Sequence, residues 1–517
     1  MTTENKERTR RGGGRKKLAA TRGATGPPQL PFGAIKNPYP PFNILSDDQV
    51  QTIHETSLDI LETIGMRVQN LESRELLKQA GADIDTASED IKLDRHFVEE
   101  MITGLASEFD VIARNPEKTL TVGGNNLCFA TVCGPSFVSD LDEGRRRGTY
   151  DKMCDFIKIA HMLNIVQHEG GAGFEPLDLP VASRHMDMMY AQITLTDKGW
   201  YPCWLNSGPR ARDVIEMTKI ALGLSEEELL NTPTIQSGVN TNSPLLLDDD
   251  LASGMIELAK VGQPICVTPF TLAGAMSPIT LAGTLAQQNA EVLLSACIVQ
   301  AARRGTPMIY GHFASNVDMK TGSPAFGTPE YVKTTLASAQ MARFYGWPFR
   351  SSNTTAAQSV DAQASYESMM SLWGNVLSHT NIVLHGFGWL EGGLTCSFEK
   401  LILDAELVQM LAETLKPIGF TKADLAIEAI ADVGAGGHFF GTPHTMERYQ
   451  NAFYAPMISD WRNFENWEED GSKTATQRAN GVWKELLAAY EKPPIDPSIE
   501  EELQAYMAKR KEYYAAA

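Results

Sequence analysis

The segment 381–400 carries the residue types best suited to chemistry. An apolar run there ends in His385, Phe387, Trp389 and Glu391, interleaved with glycines, and a helical pattern follows. Glycines let a ligand approach the backbone closely, so this segment predicts an imidazole, a carboxylate and aromatic rings at one end of a buried strand. The alternative interpretation is a strand-to-helix turn whose aromatic residues only close the core.

Similar residues follow other apolar runs of the chain. The candidates are Glu169, His385 and Glu391 for catalysis, and Trp204, Phe270, Tyr310, His312, Phe313, Arg350, His385, Phe387 and Trp389 for substrate binding. A site this rich in aromatic rings suits a quaternary ammonium ligand, which offers no hydrogen-bond donor and is held by cation–π contact. Any one of these residues is also interpretable as core, but together they favour a pocket. No GxSxG, CxxC or HExxH occurs, so neither a nucleophile elbow nor a metal site is predicted.

The elements that position these residues form a regular series. Apolar runs predict strands at 127–135, 164–170, 201–206, 233–239, 264–271, 307–313, 348–353 and 380–388, and helical patterns occupy the gaps and follow the last strand. Eight βα units favour an α/β fold, a closed (β/α)₈ TIM-type barrel, whose active site lies at the carboxyl ends of the strands. The alternative is a doubly wound sheet, but no GxGxxG follows the first strand.

The regions flanking the predicted barrel differ from it in composition. Residues 1–30 are basic and glycine-rich, and they predict a disordered tail. Residues 31–125 predict a mostly helical lead-in, 126–415 the barrel, and 416–517 a helical C-terminal region. That last region could bind a subunit or a partner protein, but we expect it, with His438 and His444, to cap the barrel.

Bulk composition excludes several classes of function. The net charge of −19 argues against binding to nucleic acid, and no apolar run is long enough to span a bilayer. Seven cysteines, an odd number without a CxxC pair, predict a reducing cytoplasmic setting and no disulfide framework.

Several longer motifs resemble one known family. Segments 272–292, 361–367, 388–400 and 436–445 are similar to those of the trimethylamine methyltransferase family, and the resemblance runs from about residue 45 to the C-terminal region. It implies a TIM-type barrel that moves a methyl group from an amine to the Co(I) of a separate corrinoid (cobalamin) protein, with no cofactor tightly bound in this chain. It also implies a homo-oligomer.

The founding members of that family carry pyrrolysine in the barrel, whereas this chain has standard residues throughout. The corresponding region is expected at 350–358. The resemblance therefore implies a quaternary amine such as glycine betaine, carnitine or proline betaine as the substrate rather than trimethylamine. Arg350 and His385 are the candidates to anchor a substrate carboxylate.

Two alternatives stay open at this point. The first is a barrel lyase or hydrolase in which Glu169 or Glu391 works with His168 or His385 in acid–base catalysis. The second is a betaine-binding or regulatory barrel without transfer activity.

Overall fold

Eight short strands alternate with eight helices in the computed structural model, which describes residues 26–516. The strands are β1 (Asn126–Thr131), β2 (His168–Glu169), β3 (Gly199–Trp200), β4 (Ser237–Val239), β5 (Ile265–Val267), β6 (Met308–Gly311), β7 (Phe349–Ser352) and β8 (Ile382–Phe387). The helices are α1 (Tyr150–Met162), α2 (Arg184–Leu195), α3 (Gly208–Leu222), α4 (Asp249–Lys260), α5 (Leu281–Ala302), α6 (Pro329–Tyr345), α7 (Ala362–Ser378) and α8 (Phe398–Thr414). Most of the predicted basic tail lies outside the described residues.

The eight strands form one parallel, closed barrel. Their hydrogen-bonded order is β3-β2-β1-β8-β7-β6-β5-β4. A parallel bridge between Trp200 and Ile235 joins the two ends of this sheet. The predicted fold class is therefore confirmed. The third strand lies before the predicted 201–206, because Pro202 has no N–H to donate to a ladder.

Alternate residues of each strand point into the barrel. Ala130, Cys266, Ile309 and Ile382 belong to one buried cluster in its interior. Their chain neighbours on the other face, such as Val267, pack with the surrounding helices. Because both faces are buried, the strands are almost continuously apolar, as is typical of parallel barrels.

A hairpin closes the amino-terminal end of the barrel. Its antiparallel strands, Glu108–Val111 and Leu120–Gly123, place Val111 and Val122 in the interior cluster. The hairpin is tied to the start of β4, where the Ile112 N–H donates to the Pro233 carbonyl at 2.8 Å. This end is therefore plugged by side chains, and a ligand enters from the carboxyl end.

Two small sheets flank the carboxyl end. One joins Phe137–Asp140, Gly144–Arg147, Trp389–Leu390 and Thr395–Ser397, and the other joins Leu272–Ala273, Ser315–Val317 and Pro324–Ala325. Because they follow β1, β8, β5 and β6, they surround the mouth on these sides.

The lead-in region packs against α5. Its helices Asp47–Asp59, Leu71–Gln79 and Arg95–Ile102, with strands Met66–Val68 and Asp90–Ile91, cover the outer side of α5. This helix lies between them and the barrel, which explains why it is apolar on nearly every face. None of the helices in residues 26–516 is both long enough and apolar enough to cross a membrane.

Two helices of the C-terminal region hold it to the barrel. Ala475–Ala488 packs on α8 and α1, and Pro497–Ala516 packs on α2 and α3. The intervening short helices Lys422–Leu425, Ile427–Val433, Pro443–Arg448 and Phe464–Glu469 contain no buried residue.

Candidate active site

The last barrel strand is irregular where it reaches the mouth. Its register against β1 shifts between Val383 and Phe387, and His385 inside this bulge has a φ of 57°. A non-glycine residue in the left-handed region is strained, and such bulges often redirect a side chain near an active site. The His385 ring is held by Ser352, whose Oγ lies 3.0 Å from Nδ1, while Nε2 lies 3.5 Å from the Cys133 sulfur.

Four aromatic side chains form a group beside His385. Phe313 is central, with ring centroids 5.3 Å from Phe270, 5.6 Å from Phe326, 5.7 Å from His385 and 5.9 Å from Trp389. The Trp389 indole is fixed because its N–H donates to the Thr355 carbonyl at 3.1 Å. Phe270 and Phe313 are partly exposed, so their faces are accessible to a ligand at the mouth. Aromatic faces in this arrangement attract a cation.

Arg350 lies directly beside this aromatic group. It is 4% exposed, and its guanidinium carbon is 5.5 Å from the centroid of Phe313. Its hydrogen bond within residues 26–516 runs from one terminal nitrogen to the His312 carbonyl at 3.1 Å, and its Nε has no partner there. A buried guanidinium facing no carboxylate is costly, so this geometry favours an anionic ligand group.

Further polar groups without partners line the barrel interior. The Tyr201 hydroxyl, both ends of the Gln236 amide and both ring nitrogens of His168 make no hydrogen bond within residues 26–516. His168 on β2 pairs with the interior residue Ala130, Tyr201 directly after β3 belongs to the interior cluster, and Gln236 directly before β4 is two residues from Gly238, which pairs with the interior residue Cys266. Buried polar groups are nearly always hydrogen-bonded, so these atoms indicate bound water or a polar ligand.

The histidines near the mouth are held neutral. Burial, followed by the positive charge of Arg350, places the pKa of His385 well below its usual value. The same two causes lower the pKa of His312 to about 3. Burial, with a smaller contribution from Lys198, lowers that of His168 to about 4. These imidazoles are therefore not cationic acids near pH 7.

Glu169 has a shifted pKa but a structural position. Burial raises its pKa to about 7, against the opposing effect of hydrogen bonds from the Ala172 and Gly171 N–H groups and the Thr131 hydroxyl. These donors lie 2.8–3.2 Å from its oxygens. The carboxyl group thus stabilises the turn after β2 rather than pointing to an open space.

Glu391 lies at the rim of the mouth. Its oxygens accept hydrogen bonds from the Arg145 guanidinium at 2.8 and 3.1 Å and from the Thr395 hydroxyl at 2.5 Å. Burial opposes a charged carboxylate, but these donors prevail and lower its pKa. Glu391 is therefore an ion-paired carboxylate that fixes the small sheet following β8.

The other candidate residues do not join the aromatic group. Tyr310 donates to Asn289 of α5 at 3.0 Å, and His312 contacts Ser351 and Tyr331, so both face the helix layer. Phe387 packs beside Phe129 on the same outer side of the barrel. Trp204 lies in the loop after β3, and its ring would be 3.3 Å from a Cβ placed on Gly171.

Two members of the site were missed by sequence reasoning. Phe326 reaches the site from the hairpin between β6 and α6, where its ring centroid lies 6.0 Å from that of Trp389. Ser352 positions His385. In the sequence, Phe326 could have been found as the aromatic residue directly before the Gly-Thr-Pro that starts α6. No sequence pattern marks Ser352.

The cysteines require a correction. Cys133, after β1, and Cys203, after β3, form a disulfide in the structure, 70 residues apart in the chain. The expectation of no disulfide framework is therefore wrong for this pair, because the loops after β1 and β3, on either side of β2, bring together residues whose spacing carries no signal. Cys128, Cys266, Cys297 and Cys396 are buried free thiols. Residues 26–516 contain no group of three or more His, Cys, Asp or Glu side chains arranged to hold a metal ion.

Comparison with known proteins identifies a family to which the chain is similar over nearly its whole length. The family model described as trimethylamine methyltransferase (MTTB) matches residues 10–515. A glycine betaine methyltransferase of Desulfitobacterium hafniense is 37% identical over 475 residues, which cover 91% of this chain and 98% of that protein. A trimethylamine methyltransferase of Methanosarcina mazei is 27% identical over 487 residues, covering 90% and 95% of the two chains.

A solved structure supports the fold. The monomethylamine methyltransferase of Methanosarcina barkeri superposes with a TM-score of 0.53 at 11% identity, covering 87% of this chain and 89% of that one. At this identity the likeness concerns the barrel architecture.

Proposed function

Because the chain belongs to the trimethylamine methyltransferase family, we propose that it demethylates a quaternary amine that carries a carboxylate, glycine betaine or a related betaine. The methyl acceptor in this proposal is the Co(I) of a separate corrinoid protein, in the cytoplasm. The relative that is 37% identical acts, by its name, on glycine betaine.

The observation that carries the proposal is the pairing of Arg350 with the aromatic group. A betaine has a carboxylate at one end and a quaternary nitrogen at the other, separated by as little as one carbon. Arg350 offers an unpartnered, buried guanidinium nitrogen, and Phe313 lies 5.5 Å from that guanidinium. A carboxylate on Arg350 therefore brings the methyl groups of a short betaine to the rings of Phe270, Phe313 and Trp389.

The protonation state of the site fits this chemistry. A quaternary nitrogen leaves as a neutral tertiary amine, so the leaving group needs no general acid. His385 and His312 are neutral, and Glu391 is ion-paired with Arg145. The chain's own task is to bind the amine, orient one methyl group toward the mouth and exclude water. A bound corrinoid supplies a strong nucleophile, Co(I), for the methyl carbon.

An incomplete aromatic cage also favours turnover. Positive charge on nitrogen decreases as the C–N bond breaks, so a closed cage would stabilise the bound substrate more than the transition state. The rings of Phe270, Phe313 and Trp389 come from the ends of β5, β6 and β8. Arg350 on β7 provides an ionic contact with the substrate carboxylate, which does not react.

An anaerobic assay with Co(I) corrinoid protein or free Co(I) cobalamin tests the function. Glycine betaine, proline betaine, carnitine, choline and trimethylamine are compared for loss of the Co(I) absorption band and for the demethylated amine by mass spectrometry. We expect consumption of Co(I) with a betaine and one equivalent of the matching tertiary amine. Substrate turnover without a corrinoid would indicate acid–base chemistry, and binding without consumption of Co(I) would indicate a binding protein.

The role of Arg350 is tested separately. Arg350→Ala should raise KM for the active betaine about 30-fold or more, because the substrate carboxylate would lose its buried cation. Arg145→Ala is the matched control at the rim, with an expected change below twofold, since Arg145 is 44% exposed and already paired with Glu391. An unchanged KM in Arg350→Ala would contradict the role of Arg350 as the carboxylate anchor but would leave the proposed methyltransferase function standing.

A further inference from the structure

Residues 416–456, which we call the arm, have an unusual surface. No residue of the arm is buried, although it contains three helices. Ten large apolar side chains of the arm are exposed. They are Ile418, Phe420, Leu425, Ile427, Ile430, Phe439, Phe440, Met446, Tyr449 and Phe453, with exposed fractions from 44% to 86%.

The arm cannot be stable by local structure alone. Its helices have four, seven and six residues, well below the length at which isolated helices form in water. Two of them are capped at their start, since the Thr421 and Thr442 hydroxyls accept hydrogen bonds from N–H groups of the first turn, whereas Ile427–Val433 has no side-chain cap. Ordering about 40 residues costs far more than such caps return, so the arm needs apolar burial that its own chain does not supply.

A second uncovered apolar surface lies on α7. Tyr366, Met370, Trp373 and Leu377, which we call the α7 stripe, are spaced by four, three and four residues and therefore share one helix face. Their exposed fractions are 59%, 43%, 36% and 40%. Phe42, 54% exposed, extends this surface, because its N–H donates to the Leu377 carbonyl at 2.8 Å.

The amount of uncovered surface identifies the class of partner. The apolar side chains of the arm expose roughly 1,000 Å² together, at about 100 Å² each. A standard stable interface buries about 800 Å² on each partner, and permanent homo-oligomers bury more and are more apolar. Partners that associate briefly use smaller and more polar surfaces, so the arm suits a permanent contact.

We propose that the arm is an interface between two copies of this chain, in which the arm and the α7 stripe are both covered. A second copy of the chain carries the same two surfaces, so one symmetric contact can cover both the arm and the α7 stripe. The arm, residues 416–456, has three Lys or Arg and four Asp or Glu side chains, so it adds little to the repulsion between two chains of net charge −19.

Light scattering after size-exclusion chromatography tests the proposal on the full chain. At micromolar concentration the wild type should have a mass of at least twice the 56.7 kDa of one chain. The pair Phe440→Ser and Phe453→Ser in the arm, and separately Trp373→Glu in the α7 stripe, should raise the dissociation constant at least 100-fold. The pair Ile279→Ser and Met319→Ser, at two exposed apolar residues outside the arm and the α7 stripe, is the control and should leave the mass unchanged.

Hydrogen exchange distinguishes this interface from others. Amides of residues 416–456 should be protected in the wild-type oligomer and exchange faster in the Trp373→Glu variant, while amides of the barrel strands stay protected in both. A monomeric wild type overturns the proposal, as does an oligomer in which the arm exchanges freely. An arm that is equally protected in monomeric and oligomeric protein overturns it too.

Discussion

A buried ion pair behind the mouth gives the most demanding prediction. Lys400 and Asp404 lie one turn apart on α8, with side chains 2% and 0% exposed, and they are paired with each other. The ammonium also donates to Ser368 of α7 at 2.7 Å, and the carboxylate accepts the Gly388 N–H at 2.9 Å. Gly388 directly precedes Trp389, so the pair supports the turn that carries the aromatic site.

Lys400→Met should leave an uncompensated buried carboxylate. Removing one partner of such a pair costs about 3–5 kcal/mol. With an unfolding entropy near 2.1 cal/mol/K per residue, a chain of this length unfolds with about 1 kcal/mol/K, so the variant should melt about 3–5 °C lower. Lys416→Met is the matched control, because its partner Glu413 and Lys416 itself are on the surface, and such a pair is worth about 1 kcal/mol or less.

The pH dependence identifies the carboxylate as the cause. Burial raises the pKa of Asp404 even in the presence of Lys400. Without the ammonium the folded-state pKa rises further above the unfolded value, so the folded state binds the proton more tightly. The loss is then complete above the folded-state pKa and shrinks as pH falls toward the unfolded value. Melting followed from pH 8 to pH 5 should show a decreasing deficit for Lys400→Met.

A second substitution completes the test. Lys400→Met with Asp404→Asn removes the charge while the amide oxygen still accepts the Gly388 N–H, so most of the lost stability should return. A deficit that is independent of pH, together with no recovery in the double variant, would refute the account of an unpaired buried charge.

Three further predictions concern other parts of the fold. Asp213→Asn should loosen helix Pro497–Ala516, as measured by hydrogen exchange in that helix. Burial opposes the charged Asp213 carboxylate, but hydrogen bonds from His185 and from this helix prevail and lower its pKa to about 2. The resulting stabilisation, about 2 kcal/mol, is present above about pH 3.8 and is lost as pH falls toward 2. Gly311→Ala should destabilise the barrel by about 1–3 kcal/mol in thermal melts, since its Cβ would meet the β5 backbone, whereas Gly481→Ala, with open space and helical geometry, should stabilise by about 1 kcal/mol. Glu391→Gln should change kcat less than threefold, and a loss of 100-fold or more would return Glu391 to a catalytic role.

The barrel was predictable because its signal is local. Each strand is a short apolar run between turn residues, and each helix begins after a polar loop, so the order of elements can be counted along the chain. The face of each side chain was not predictable. Strands buried on both sides lack an alternating pattern, so nothing in the sequence separates Arg350, which points inward, from Tyr310, which points to α5.

The site depended on features that sequence periodicity does not contain. The bulge that turns His385 into the mouth is an irregularity within a strand, and Gly386, which lies inside it, does not show which side chain is redirected. Phe326 comes from a hairpin far along the chain, and the Cys133–Cys203 pair links two loops that meet only once the barrel closes. Long-range proximity of this kind is set by barrel topology.

The architecture also decides where the reacting molecules meet. The hairpin bearing Val111 and Val122 fills the amino-terminal end of the barrel, so a small amine and any methyl acceptor have to use the carboxyl end together. Arg350 lies deeper than Phe313 in that end, because it sits within β7 while Phe313 follows β6. A substrate held by its carboxylate at Arg350 is therefore oriented with its methyl groups toward the acceptor, and an amine without a carboxylate loses this orientation as well as affinity.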